Sequence, residues 1–320
     1  EMKSTGEVMG FDKDFVVKVE GGYFVGVTGS FENVIGVTSI TDHAGTNQSP
    51  DKWTLQLNTN LFHSPKCPEG NGWCLAQQQT IYANQGQGSQ GALFIRYWLF
   101  GYDASGGTSC PSGWTSSGGS CFRNSSVKSV AAVPVSDLEH VHLSGVSGPT
   151  SDHAIMRIDD TLHVHAAPAE LQPLDEILGL NQRWTDAEFN IFGHGSGSNA
   201  VFNANSSLNV TLTVDGHTGG HITCERYGSS NETNSLSLPG ECAQVPHRTS
   251  PTYHFTQDNL PHEVVEYSGS CAVPSKPCNF ITTECIAYME CRCKAGELPL
   301  ILGDGRYRGD FSDQCKYLVK

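Results

Sequence analysis

Two polar residues in strand-like segments, Gln79 and Glu188, are the strongest candidates for chemistry in this sequence. Gln79 lies in the segment 73–82, and Glu188 lies in the segment 187–192. Strand alternation puts Glu188, Asn190 and Phe192 on one face of the second segment. A carboxyl group among aromatic rings can have a raised pKa, which suits it to general acid–base catalysis. A nearby side-chain amide can donate a hydrogen bond to a developing oxyanion.

Short strand patterns dominate the chain and predict the framework that positions these residues. The segments 53–58, 92–100, 208–214 and 253–256 alternate in polarity or are rich in β-branched and aromatic residues. Clusters of Gly, Ser, Asn and Asp separate them at short intervals, as turns do. The pattern predicts an all-β protein, an antiparallel β-sandwich of the jelly-roll or concanavalin-like type.

Composition divides the chain into three parts. Residues 1–50 form a strand-rich segment without Cys, which is either a set of extra strands or a small N-terminal unit. Residues 51–262 are predicted to form the sandwich domain. Residues 263–320 form a Cys-rich segment, which is too short for a substantial core and is expected to depend on disulfide bonds.

The cysteines indicate an oxidising compartment. The chain has 12 Cys and no Cys-x-x-Cys pair, so a disulfide framework is favoured over a zinc site. All are predicted to be disulfide-bonded: Cys67, Cys74, Cys110, Cys121, Cys224, Cys242, Cys271, Cys278, Cys285, Cys291, Cys293 and Cys315. Members of three pairs are close in sequence, and the last six fall in one segment whose connectivity the sequence leaves open.

Asparagine acceptors for N-glycosylation support the same compartment. Asn-x-Ser/Thr triplets begin at Asn47, Asn124, Asn205, Asn209 and Asn231. Together with the cysteines they predict a secreted, extracellular glycoprotein. The chain begins at Glu1 and shows no signal peptide, so we interpret it as a processed mature chain.

Charge excludes two classes of partner. The 320 residues contain 19 Lys plus Arg against 33 Asp plus Glu, a formal net charge of -14. Such a chain does not suit nucleic acid or an anionic membrane, both of which require clustered basic residues. No apolar run is long enough for a transmembrane helix.

Two His-x-His pairs are weak candidates for a metal site. In adjacent strands, four imidazoles on one surface could bind zinc or copper: His140, His142, His163 and His165. The favoured interpretation is a polar strand surface, so we expect no metal and no cofactor.

The order of these segments resembles that of the secreted glutamic peptidases, the eqolisin family. There a Gln strand, a hairpin and an aromatic strand precede an Ala-Glu-Trp strand. The likeness covers residues 51–262 and implies a two-sheet antiparallel sandwich with a catalytic Gln and Glu on one sheet. Gln79, or its neighbour Gln78, would match the Gln, and Glu188 would match the Glu, with Ala187 before it. The sequence also resembles a group of secreted microbial proteins without an assigned activity, through segments 97–99, 110–114, 187–191 and 231–234.

The sequence departs from the family pattern at three positions. Phe189 replaces the Trp that follows the catalytic Glu, Tyr97 replaces an acidic residue, and Phe192 replaces a second Glu. The resemblance implies an acid-active endopeptidase acting on polypeptides. The alternatives are a carbohydrate-binding, lectin-like protein using aromatic residues such as Trp98, and a structural extracellular protein.

Overall fold

The computed structural model describes residues 14–44, 46–86, 90–103, 109–158, 161–166, 177–194, 198–226 and 233–260, with residues 161–166 and 233 described by their backbone alone. The first ten strands are β1 (Phe15–Glu20), β2 (Tyr23–Ile35), β3 (Ile40–Ala44), β4 (Asn47–Pro50), β5 (Lys52–Thr59), β6 (Leu75–Gln85), β7 (Gly91–Phe100), β8 (Thr115–Ser117), β9 (Ser120–Asn124) and β10 (Lys128–Val130). The others are β11 (Val141–Ser147), β12 (Asp152–Ile158), β13 (Thr161–Ala166), β14 (Asp186–Phe192), β15 (Asn199–Phe202), β16 (Ser207–Thr218), β17 (His221–Arg226), β18 (Thr233–Asn234), β19 (Ala243–Gln244) and β20 (Thr252–Asp258). Two 3-10 helices span Val135–His140 and Leu180–Gln182.

The described strands form three sheets. Sheet A has the order β17-β1-β14-β5-β6-β7-β9-β8, with β10 also paired to β7. Sheet B has the order β13-β12-β11-β2-β16-β20-β19, and sheet C has the order β18-β15-β3-β4. The pairing is antiparallel throughout these sheets except between β15 and β18.

Sheets A and B pack face to face around one apolar core. Phe31 on β2 and Phe189 on β14 bring their rings to a centroid distance of 5.3 Å across the interface. Gly29, also on β2, lies directly over the Phe189 ring, where a Cβ atom would overlap it. The absence of a side chain at Gly29 therefore lets the two sheets approach at the strand that carries Glu188. The predicted all-β sandwich is confirmed.

The N-terminal strands belong to these same sheets. β1 pairs with β14 and β17 in sheet A, and β2 pairs with β11 and β16 in sheet B. β1 and β2 thus supply strands to the sandwich, whereas β3 and β4 belong to sheet C. The chain divides into two compact units, residues 1–260 and residues 261–320, and the second lies outside the described residues.

Three disulfide bonds join cysteines of the first unit. They link Cys67 to Cys74, Cys110 to Cys121, and Cys224 to Cys242. These are the three pairs close in sequence, and the six cysteines from Cys271 to Cys315 lie outside the described residues. Within the described part of the chain, no helix has the length and apolar character needed to cross a bilayer.

Candidate functional site

Sheet A brings Gln79 and Glu188 to one face. The register pairs Glu188 with Asn58 across β14 and β5, and Asn58 with Gln79 across β5 and β6. Directly paired residues of antiparallel strands project from the same side of the sheet. Gln78 pairs with the buried Tyr97 and projects from the opposite side, so only Gln79 shares the face of Glu188.

A chain of hydrogen bonds connects the two residues through Asn58. The Trp98 Nε1–H donates to Gln79 Oε1 at 2.8 Å. Gln79 Nε2 donates to Asn58 Oδ1 at 3.1 Å, and Asn58 Nδ2 donates to Glu188 Oε2 at 3.0 Å. Because an indole N–H can only donate, Trp98 fixes which way the Gln79 amide points. Each residue of the chain therefore donates to the next, and the last acceptor is the Glu188 carboxylate.

The Gln79 amide nitrogen is fully used within the sheet. Besides Asn58, it donates to Gln56 Oε1 at 3.0 Å. An amide NH₂ has two hydrogens, so both are engaged. Gln79 can therefore donate to a substrate oxyanion only by exchanging one of these two bonds for the new one.

Burial sets this polar layer apart from an ordinary strand surface. Glu188 is 1% exposed, Asn58 0% and Gln79 4%. Burying a carboxyl group and several amides costs free energy unless they are hydrogen-bonded, and such arrangements concentrate at functional sites. The burial also means that a large ligand can reach Glu188 only if this face opens.

An aromatic and cationic platform adjoins Gln79 on the same face. Trp98 stacks on Phe100 with ring centroids 5.0 Å apart, and it packs against Phe122 at 5.1 Å. The Arg96 guanidinium lies 5.5 Å from the Phe122 ring centroid and 6.0 Å from that of Trp98. All four of these side chains are half-buried. The Arg96 guanidinium also lies over the ring of Phe94, which is buried. The four half-buried side chains offer a surface against which an apolar side chain or a sugar ring can pack.

A second buried carboxyl group, Asp14, lies at the other side of Glu188. Asn190 Nδ2 donates to Asp14 Oδ2 at 2.7 Å, and the Phe15 N–H donates to Asp14 Oδ1 at 2.9 Å. Burial raises the pKa of Asp14 well above its ordinary value, and the charge of Glu188 raises it further.

Sequence reasoning missed Asn58, Gln56 and Asp14. Residues 53–58 alternate strictly in polarity, and this pattern already places Gln56 and Asn58 on one face of their strand. Nothing in the alternation indicated which strand would lie between those of Gln79 and Glu188. Asp14 precedes the first strand and falls outside the segment that resembles the peptidases.

The structure does not bring the histidine pairs together. His140 ends a 3-10 helix and His142 lies on β11, whereas His163 and His165 lie on β13. Strand β12 separates β11 from β13. Burial lowers the pKa of His142, and Arg157 and His140 lower it further. In the described residues, no group of three or more His, Cys, Asp or Glu is placed to hold a metal.

Two of the three positions that depart from the family pattern, those where the peptidases carry an acidic residue, are buried. Tyr97 packs in the core between sheets A and B, and burial raises the pKa of its hydroxyl. Phe192 is also buried, at the end of β14. Neither position is available for the acidic residue that the peptidases carry there.

The glycosylation acceptors differ in exposure. Asn47, Asn124 and Asn205 are exposed, whereas Asn209 is half-buried in β16 between β2 and β20. Asn231 lies outside the described residues.

Comparison with known proteins does not assign the chain. No protein-family model matches the sequence, and no curated protein matches it.

Proposed function

We propose that this chain is a secreted, disulfide-bonded endopeptidase of the glutamic type, active at acid pH, with Glu188 as its general base and acid. The observation that carries the proposal is the hydrogen-bond chain that joins Glu188, Asn58 and Gln79 on one face of sheet A. A buried carboxyl group oriented by neutral amides can exchange a proton with water, and the amides can stabilise a nearby oxyanion.

The reaction needs a carboxyl group, amides and water. Ionised Glu188 takes a proton from water, and the water oxygen forms a bond to the carbonyl carbon of the peptide. The carbonyl π electrons move onto oxygen, where Gln79 donates a hydrogen bond after releasing Asn58 or Gln56. Protonated Glu188 then gives its proton to the leaving amine as the carbon–nitrogen bond breaks. Asn58 holds the Glu188 carboxylate in place throughout.

The spacing of the strands leaves room for this chemistry. Glu188 and Gln79 lie on strands separated by β5, which is about 9–10 Å between backbones at the usual strand spacing. Their side chains can then reach a water molecule and a peptide bond from opposite sides of Asn58. The substrate is a polypeptide, and the platform of Trp98, Phe100 and Phe122 beside Gln79 offers a surface for one of its apolar side chains.

Digestion of a denatured protein tests the proposal. At about pH 4, where a carboxyl group can exist in both protonation states, we expect peptides to be released by the purified chain. At about pH 7 we expect the rate to fall about tenfold, as the resemblance to the acid-active glutamic peptidases implies. Absence of cleavage at both pH values, after prior incubation at acid pH to open the buried face, would contradict the proposal.

Carbohydrate binding is the second candidate, and the platform of Trp98, Phe100, Phe122 and Arg96 favours it. Stacked, half-buried rings on a sheet face are a common support for sugar rings. A glycan-binding screen distinguishes this function: a specific glycan bound without acid proteolysis would favour a lectin. A protein with neither property would be a structural extracellular protein.

A further inference from the structure

Asp14 occupies a defined place beside Glu188 in the register of sheet A. Val16 of β1 pairs with Glu188, so the antiparallel register places Asp14 opposite Asn190. The 2.7 Å hydrogen bond from Asn190 Nδ2 to Asp14 Oδ2 agrees with that position. Glu188 is therefore the diagonal neighbour of Asp14 on the same face of sheet A.

The surroundings of Asp14 favour a single negative charge, rather than two, on the pair formed by Asp14 and Glu188. Asp14 is 3% exposed, and it accepts hydrogen bonds from Asn190 and from the Phe15 N–H. Burial raises the pKa of Asp14, and the charge of Glu188 raises it further. Two neighbouring carboxyl groups away from water do not both ionise readily.

The other charged side chains of this region form a separate group. On β1, β17 and β14 the other charged or titratable side chains are Lys18, Glu20, His221, Glu225, Arg226 and Asp186. Lys18 Nζ lies 3.7 Å from Glu225 Oε2. Burial raises the pKa of Asp186, the charge of Lys18 lowers it, and the charge of Glu225 raises it. Arg226 donates to the Leu238 carbonyl oxygen. Asn190, which donates to Asp14, pairs with Gln56 of β5 and accepts a hydrogen bond from Asn234 of β18, whose amide also donates to Gln257 of β20.

We infer that Asp14 is a positioning residue that holds one proton together with Glu188, so that the pair reacts while it carries a single negative charge. This inference rests on the proposed peptidase function and adds a reason for its acid pH range. While Asp14 stays protonated, Glu188 alone is ionised and acts as the base. Asp14 keeps its own proton throughout the reaction. When Asp14 ionises, its charge opposes the oxyanion that forms on the substrate, and the rate falls.

The pH profile of kcat/KM tests this role. In the wild-type chain we expect the rate to fall about tenfold for each pH unit above the ionisation of the pair. Asp14→Asn keeps an acceptor for Asn190 but cannot ionise. We expect this variant to retain more than about half of its plateau rate one pH unit above the wild-type midpoint. The matched control is Asp186→Asn, which removes a carboxyl group of the same strand as Glu188 and should leave the midpoint in place.

Carboxyl carbon-13 NMR titration tests the pair without reference to catalysis. Removal of the Glu188 charge in Glu188→Gln should move the titration midpoint of Asp14 to lower pH, because that charge raises the pKa of Asp14. If Glu188→Gln does not fold, Asp14→Asn tests the same coupling through the titration midpoint of Glu188. The inference is overturned if neither variant changes the midpoint of the remaining carboxyl group. If the coupling is present but no proteolysis occurs, the proposed function fails while the proton pair stands.

Discussion

At the residue scale, the orientation of Gln79 depends on a single donor. Trp98 Nε1 donates to Gln79 Oε1 at 2.8 Å, which leaves the Gln79 nitrogen facing Asn58 and Gln56. An amide that pointed the other way would present its oxygen where the proposed mechanism requires a donor. The Gln79 amide is thus held by a residue of the aromatic platform.

Replacement of this donor gives a test at the residue scale. Trp98→Phe retains an aromatic ring but leaves Gln79 Oε1 without the indole donor. We expect kcat to fall about tenfold, and the free energy of unfolding to fall by about 1–3 kcal/mol, because a buried acceptor loses its partner. Acid proteolysis and urea unfolding measure the two effects. Trp114→Phe, at another half-buried tryptophan, is the control, and equal kinetic effects of both changes would refute the role of Trp98.

At the element scale, the approach of β2 to β14 positions Glu188. The Phe189 ring projects into the core from β14 and fills the space over Gly29, while Glu188 projects from the opposite side. The sandwich core and the face that carries Glu188 therefore lie on opposite sides of one strand. A displacement of Phe189 moves Glu188 with it.

A glycine substitution tests this coupling. In Gly29→Ala the added methyl group overlaps the Phe189 ring, and we expect a loss of about 1–3 kcal/mol in the free energy of unfolding together with reduced activity. Gly26→Ala on the same strand is the control, because its added Cβ atom would lie no closer than 3.5 Å to its nearest neighbour, Asp215 Cβ. Denaturant unfolding of both variants checks the difference. Equal stability of the two would contradict this packing.

Strand alternation predicted much of the sheet at this scale, but it did not predict strand order. Periodicity and turn residues indicated the β-sandwich and placed Glu188 and Asn190 on one face of their strand. They could not choose between Gln78 and Gln79, because facing direction depends on a register set by long-range pairing. The same limit explains the histidines: β12 lies between the two strands that carry them, and no local pattern indicates which strand intervenes.

At the scale of the whole molecule, the disulfide bonds and acidic composition agree with an acidic extracellular medium. Three disulfide bonds cross-link the first unit, and such bonds are typical of oxidising compartments. The formal net charge of -14 at pH 7 diminishes as carboxyl groups become protonated, so self-repulsion decreases toward acid pH.

Glycan occupancy tests the proposal that the chain is an extracellular glycoprotein. Expression through a eukaryotic secretory pathway should modify the exposed Asn124 and Asn205, whereas Asn209 should stay unmodified in its strand between β2 and β20. Arg96 Nε donates to Asn124 Oδ1 at 2.9 Å, which leaves the Asn124 nitrogen available for a glycan. Mass spectrometry of glycopeptides measures each site. A glycan on Asn209 with none on Asn124 would contradict this expectation.

The central claim, that Glu188 performs the chemistry, is tested most directly by one rate comparison. The rate of peptide release from a denatured protein at about pH 4 is measured for the wild-type chain, for Glu188→Gln, and for Glu225→Gln, a matched change at an exposed Glu on the same sheet. We predict that Glu188→Gln folds and loses at least about a hundredfold in rate, while Glu225→Gln retains the wild-type rate. Full activity in a folded Glu188→Gln variant would contradict the claim.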